Sequence, residues 1–308
     1  MTLRPTSTTT GLRRPIGLGV LTGVLALAAL TACEIPALGR GADGETGEGG
    51  RTAGDAPAAQ ADADPGTFLL VDFEEGAAPP GSVIGSIANR GSYPVWISMA
   101  TQNGGRLVRA AGVESTSAEV GGTGARLPYL DEEAVAAAAV VVRPAGTEDQ
   151  LSPGIARFTF GADLSLDPAS DGVPTDDGDN VLQRGLYRDP VQYKLQVDHR
   201  VLSCRIAGDR GEVVVAAAKT IQPGRWHRAA CTRRGRTVTV SLARARPDGT
   251  WSRTWTQSAT GDIGRLAFDP AVPLSVGAKV DPEGVITASA TDQFNGVLDN
   301  VHVGRPGR

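Results

Sequence analysis

From Thr67 onward the chain places its hydrophobic residues in short alternating or continuous runs, each closed by turn-forming residues. They read "TFLLVDF" at 67, "PVWISMA" at 94, "AVAAAAVVV" at 134, "ARFTFGADLSL" at 156, "VQYKLQV" at 191, "GEVVVAA" at 211 and "RTVTVSL" at 236. Pro-Gly, Asp-Gly and Arg-Gly pairs lie between them. Alternation with a period of two puts successive side chains on opposite faces of a strand. Many short strands with turns between them predict an all-β, antiparallel sandwich or barrel. "DEEAVAAAA" has the alanine content of a helix, but the valines that follow and Pro144 favour a strand. Residues 67–308, about 240 in all, suffice for one core. No 34-residue-type repeat is present, which argues against a solenoid.

The first 66 residues follow a different pattern. Ile16 to Leu30 is almost wholly apolar and is preceded by Arg4, Arg13 and Arg14, with no acid before Cys33. That is the layout of a secretion signal. At about 15 residues the run falls short of the roughly 20 that a membrane-spanning helix needs. Leu30-Thr31-Ala32-Cys33 resembles the bacterial lipobox, in which the cysteine thiol receives diacylglycerol and cleavage falls just before it. The resemblance implies a signal peptide over 1–32, lipidation at Cys33 and a membrane partner through the lipid anchor. It implies residence on the outer face of the cytoplasmic membrane, at the cell surface. A secretion signal that happens to contain a cysteine is the alternative, and Arg13-Arg14 leaves Sec and twin-arginine export both open. Glu34 to Gly66 has no aromatic residue and almost no large aliphatic one after Leu38. Such a stretch cannot offset its ordering entropy by burial, so 33–66 is expected to be a flexible linker. As a coil it spans roughly 30 Å.

Of 30 basic residues only Lys194, Lys219 and Lys279 are lysine, and with 40 glycines this is the bias of a GC-rich bacterial genome, actinobacterial in type. Losing the signal removes three arginines and no acid, taking the formal charge from −4 to −7. A mildly acidic chain with scattered arginine carries no nucleic-acid footprint, and its charge serves solubility. Besides Cys33 the chain holds two cysteines, Cys204 in "VLSCRIAG" and Cys231 in "HRAACTRRG". Both sit in strand-like runs of a chain bound for an oxidising compartment, so a disulfide is expected. Two buried thiols are the alternative.

The stretch "PGRWHRAACTRRGRTVTVSL" at 223–242 resembles the hallmark strand pair of laminin G-like domains, in the concanavalin A-like lectin and glucanase superfamily. "DQFNGVLDNVHVG" at 292–304 is similar to that family's closing strand, and "FTFGADLSL" and "DNVLQRGLYRDPVQYKLQVD" fit its middle strands. The resemblance implies a jelly-roll β-sandwich over 67–308. The departure is "ARARPDGTW" at 243–251, where the family turns through Asp-Gly directly after the strand. On the residues themselves these hallmarks are structural. Trp226 caps the core, Ala229 and Cys231 share an inward face, Gly296 permits a close strand approach and Asp299 holds a neighbouring turn.

The family's glucanase members need an acid and a nucleophile about 5 Å apart. Here Glu74-Glu75 and Glu132-Glu133 are adjacent pairs that point to opposite faces. His199, His227 and His302 are isolated, and neither Gly-x-Ser-x-Gly nor His-Glu-x-x-His occurs. No catalytic residue is assigned, and an enzyme is the weaker reading. "PTDDGDN" at 174–180 gathers Asp176, Asp177, Asp179 and Asn180, hard oxygen ligands suited to calcium, although Asp, Asn and Gly also favour a plain acidic turn. Gln183, Arg184, Tyr193 and Lys194 line a groove or form the outward face of two strands. The expectation is a lipid-anchored surface module that binds or adheres, with a glycan or an envelope protein as partner. The rivals are a polysaccharide hydrolase with unusual carboxylate placement and a structural envelope protein with no small ligand.

Overall fold

The computed structural model describes residues 66–76, 78–113, 122–129, 136–168, 179–287 and 292–305. Cys33, the stretch expected to be a signal and most of the expected linker lie outside them. The described chain begins with β1 (Thr67–Val71), β2 (Val95–Gln102), β3 (Val108–Ala111), β4 (Thr123–Arg126) and β5 (Ala137–Pro144). It continues through β6 (Phe158–Leu166), β7 (Asp179–Arg184), β8 (Gln192–Asp198), β9 (Val201–Gly208) and β10 (Gly211–Thr220). It closes with β11 (Trp226–Arg234), β12 (Thr237–Arg244), β13 (Trp255–Thr260), β14 (Leu274–Val276) and β15 (Gly296–Gly304). Among the described residues there is no helix.

The strands form two sheets. An eight-stranded sheet runs β13-β12-β11-β6-β15-β4-β3, with β1 also paired to β15, and a seven-stranded sheet runs β10-β9-β8-β7-β14-β5-β2. The pairings are antiparallel throughout, so the expected all-β sandwich is what forms. The ladder order places sequence-distant strands side by side: β15 lies between β6 and β4, and β14 between β7 and β5.

Alternation fills the space between the sheets. Phe158, Phe160, Ala162 and Leu164 of β6 meet Tyr193, Leu195 and Val197 of β8, with the Phe160 and Tyr193 rings 5.0 Å apart. Cys204 of β9 and Cys231 of β11 form the expected disulfide across the core, Cα to Cα 6.0 Å. By the chain-entropy model, closing a loop of 27 residues contributes roughly 3 to 4 kcal/mol. β5 is a strand rather than a helix because both its faces are covered. Ala138, Val140 and Val142 belong to the main core, while Ala137, Ala139 and Val141 form a second cluster with Ala278, Val280 and Ile286. That double burial explains why its sequence shows no alternation. Gly296 sits so close to the Ser165 carbonyl of β6 that a Cβ there would collide with it, as the closing-strand reading required.

Candidate functional site

The second cluster marks an unusual feature of the seven-stranded sheet: over β5 its outer face, which a two-layer sandwich would leave wet, is buried, while Trp96 of β2 and Val214 of β10 stay exposed. The segment after β14 crosses it. Val280 and Ile286 bridge to each other within that segment and cover Ala137, Ala139 and Val141. Three ties hold the strap down. The Asp292 carboxylate receives Lys279 at 2.7 Å and Lys194 at 2.9 Å. Arg143 donates to the Pro282 carbonyl at 2.6 Å. The Ala138 amide donates to Gln293 Oε1 at 2.7 Å.

Beside the strap, on β14, β7 and β8, outer-facing side chains are polar. Register sets Gln183 between Ser275 of β14 and Lys194 of β8, all pointing away from the core. The same register resolves the four residues of "QR" and "YK" into two pairs. Gln183 and Lys194 face outward, whereas Arg184 and Tyr193 face inward and are fully buried. Arg184 pairs with Asp149 at 2.6 Å and stacks on Phe268 at 4.6 Å, and the Tyr193 hydroxyl donates to Leu151 at 3.1 Å. These two are core residues. Burial in this core pushes the Tyr193 phenol well above its ordinary value.

Gln183 and Ser275 are only 2% and 1% exposed, and Gln183 Oε1 and Ser275 Oγ have no hydrogen-bond partner. Both line a cavity of about 10 Å³ walled by Leu186, Asp189, Val280 and Pro282. A space of that size holds about one water. An unsatisfied buried polar atom costs about 1–3 kcal/mol, so two at one small cavity call for a polar occupant. The wall is held in shape locally: Asp189 accepts from the Leu186 amide at 2.6 Å, and Gln192 donates to the Gly185 carbonyl at 2.9 Å. Between Leu186 and Asp189 stands Tyr187, 73% exposed, its ring carrying the Arg205 guanidinium at 4.6 Å. Arg205 is itself fixed by Glu212 at 2.8 Å and by Gln192. The turn that supplies Leu186 and Asp189 to the cavity wall thus also carries an exposed aromatic ring held against an arginine.

The expected calcium ligands are divided. Asp176 and Asp177 lie outside the described residues, while Asp179 and Asn180 open β7 and are buried. Asp179 Oδ1 accepts from the Asn295 amide at 2.7 Å and from its side chain at 3.1 Å, tying β7 to the segment before β15. Both side-chain polar atoms of Asn180 are unpartnered. Among the described residues no three His, Cys, Asp or Glu side chains converge as a metal site.

The eight-stranded sheet carries a different polar cluster on its outer face. Asp163 of β6 and Asp299 of β15 are register partners, so two carboxylates stand side by side. Arg228 holds Asp163 through both oxygens at 2.8 and 2.9 Å, and Asn300 adds a bond at 3.0 Å. Asp299 accepts from the Val113 amide at 3.0 Å and the Asn300 amide at 2.7 Å, which is the turn-holding role read from sequence. Burial raises its carboxyl to about 7, with the charges of Asp163 and Glu74 adding to the effect. Each carboxylate oxygen of the pair is already engaged.

Ser275, Tyr187 and Arg205 were not singled out by sequence. β14 is three residues long and too short to show a pattern, whereas an aromatic residue in the turn "RGLYRDP" was a readable signal.

No curated protein matches the sequence significantly. Several solved structures resemble the fold. The binding domain of Paraclostridial Mosquitocidal Protein 1 is 10% identical, with a TM-score of 0.49 over 79% of this chain and 49% of that one. The binding domain of Botulinum neurotoxin serotype G is 6% identical, with a TM-score of 0.48 over 79% and 48%. Tailspike protein 2 of the Escherichia coli O157:H7 bacteriophage CAB120 is 14% identical, with a TM-score of 0.43 over 78% and 28%. The chain thus spans about half the length or less of the structures it resembles. The family model for the laminin G domain matches residues 182–305, so the stretch from β7 through β15, with both sheets represented in it, is laminin G-like.

Proposed function

We propose that the protein is an exported, lipid-anchored binding module that takes a hydroxyl-rich ligand, a glycan, on the outer face of the seven-stranded sheet beside Tyr187. The observation that carries the reading is the pair of buried, unpartnered oxygens on Gln183 and Ser275 in one small cavity. A sugar hydroxyl donates to such oxygens, and a sugar's apolar face stacks on an exposed ring. The chain reaches this work from the membrane through Cys33 and the 33–66 linker.

The test is a panel of bacterial and plant polysaccharides offered to the full chain, with calcium and with chelator. The expected result is a polysaccharide bound at least tenfold more weakly by Tyr187→Ala, whose melting temperature stays unchanged because Tyr187 is exposed. An affinity unmoved by Tyr187→Ala overturns this site, and no binding across the panel overturns the glycan reading. Loss on chelation and on Asp177→Ala adds calcium to the site. Cys33→Ala is expected to move the protein from membranes to the soluble fraction, and labelled lipid still attached to that variant sinks the anchor.

A further inference from the structure

The segment "ARARPDGTW", where the chain departs from the laminin G-like pattern, builds a feature of its own. β12 ends at Arg244, and the chain then folds back as a small hairpin. Ala245 bridges to Trp251, the Arg246 amide donates to the Thr250 carbonyl at 2.7 Å, and Gly249 takes the turn at φ 77°. The Ala245 amide donates to the Trp226 carbonyl at 2.9 Å, which docks the hairpin against the start of β11. The turn before β11 carries Arg225.

These connections bring Arg225, Arg244 and Arg246 around one cavity of about 190 Å³, completed by Gln222, Ala245 and Pro247. None of the three guanidiniums makes an ion pair among the described residues. Arg244 donates to Gln222 Oε1 at 2.8 Å and Arg246 to Thr250 Oγ1 at 3.3 Å, both neutral acceptors. Asp248, in the hairpin turn, feels the charge of Arg246 without pairing with it and is occupied by the Thr250 amide at 2.9 Å and hydroxyl at 2.6 Å. His227, beside Arg244 and buried, donates or accepts only toward Arg225 and Gln222 backbone and is held neutral by burial. A chain of net charge −4 therefore keeps three unpaired cations around one opening.

We propose that this cavity binds a phosphoryl oxyanion. A single carboxylate is matched by one guanidinium fork, whereas three forks around a shared space suit a tetrahedral group with charge on several oxygens. The site belongs to the eight-stranded sheet and stands independently of the glycan face. The phosphoryl group could be free phosphate or the headgroup of an anionic lipid, within reach of an anchored module.

The test uses the full chain carrying Cys33→Ala, so that no attached lipid confounds it. Inorganic phosphate is titrated at fixed ionic strength against chloride, following heat and melting temperature. Phosphate is expected to bind and raise the melting temperature, and Arg244→Gln with Arg246→Gln to weaken binding at least tenfold while melting normally in chloride. Arg225→Gln, outside the hairpin, gives a second reading if the double variant is destabilised. Sedimentation with phosphatidylglycerol vesicles, against phosphatidylcholine, separates the sources: arginine-dependent capture assigns a lipid headgroup, and phosphate binding without it assigns the free anion. Equal melting in phosphate and chloride without vesicle capture, or binding that survives all the arginine changes, overturns the proposal.

Discussion

Asp163 and Asp299 on the eight-stranded sheet, and Gln183 and Ser275 on the seven-stranded sheet, hold equivalent places: neighbouring strands, outer face, almost no exposure. The first pair is ionisable and every one of its oxygens is engaged by Arg228, Asn300 or a backbone amide. The second pair is neutral and keeps two oxygens without partners. Buried charge is tolerated only when matched, so the engaged pair is structure. Unmatched neutral atoms cost less, and a protein can leave them so where something else will complete them. The contrast separates the carboxylates a hydrolase would need from the oxygens a binding face would offer.

The largest expected consequence lies in pH. Asp299 has its carboxyl raised to about 7 by burial, above the roughly 3.9 of an unfolded chain. A raised pKa means the folded state binds the proton more tightly. Its stabilising contribution is then full below about pH 4 and is lost as pH rises through about 7. The window is worth on the order of 4 kcal/mol. Buried His227 and half-buried His302, whose pKa values are lowered by desolvation, act in the opposite sense, losing stability as pH falls. The difference between wild type and Asp299→Asn, measured by denaturant unfolding at pH 4 and pH 7.5, isolates the carboxyl. The variant's amide facing a backbone donor adds a constant offset, and only the pH-dependent part counts. It should favour the variant increasingly as pH rises, and a flat difference breaks the account of this cluster.

Next in size is Asp163→Ala, which strips Arg228 of its carboxylate and Asn300 of an acceptor. Because the Arg228 side chain is 51% exposed, it can rehydrate, and the loss should be about 2–3 kcal/mol rather than that of a fully buried pair. Unfolding midpoints in denaturant measure it, and a change within experimental scatter would show that the cluster is not structural.

Which parts of this were legible in the sequence follows from how far apart the interacting residues lie. Strands with full alternation, such as β6, β8 and β12, announced themselves, and the disulfide followed from two strand-borne cysteines in a chain expected to be exported. β3, β4 and β14 are three or four residues long and exist as strands only because neighbours pair with them. The acids around residue 177 drew the eye because they are adjacent in sequence. The polar cavity that stands out in space joins Gln183 and Ser275, which no local pattern connects. The arginine cavity was half visible, since "ARARPDGTW" was marked as a departure, but Arg225 meets it only through the β11–β12 register.

The smallest expected effect tests the comparison most sharply. Ser275→Ala deletes a buried hydroxyl that has no partner and leaves the β14 backbone pairing intact. Removing a satisfied group costs its bonds, whereas removing an orphan relieves a desolvation penalty, so stability should stay within about 1 kcal/mol of wild type or rise. On the proposed glycan reading, affinity for the polysaccharide should fall with it, since the hydroxyl is then missing from the face. A loss of about 2 kcal/mol or more would have a different meaning. It would show that a resident water joins Ser275 to Gln183 in a cavity sized for one. The seven-stranded face would then be as complete as the eight-stranded one, with its polar atoms belonging to the fold and ligand binding to be sought at the arginine cavity instead.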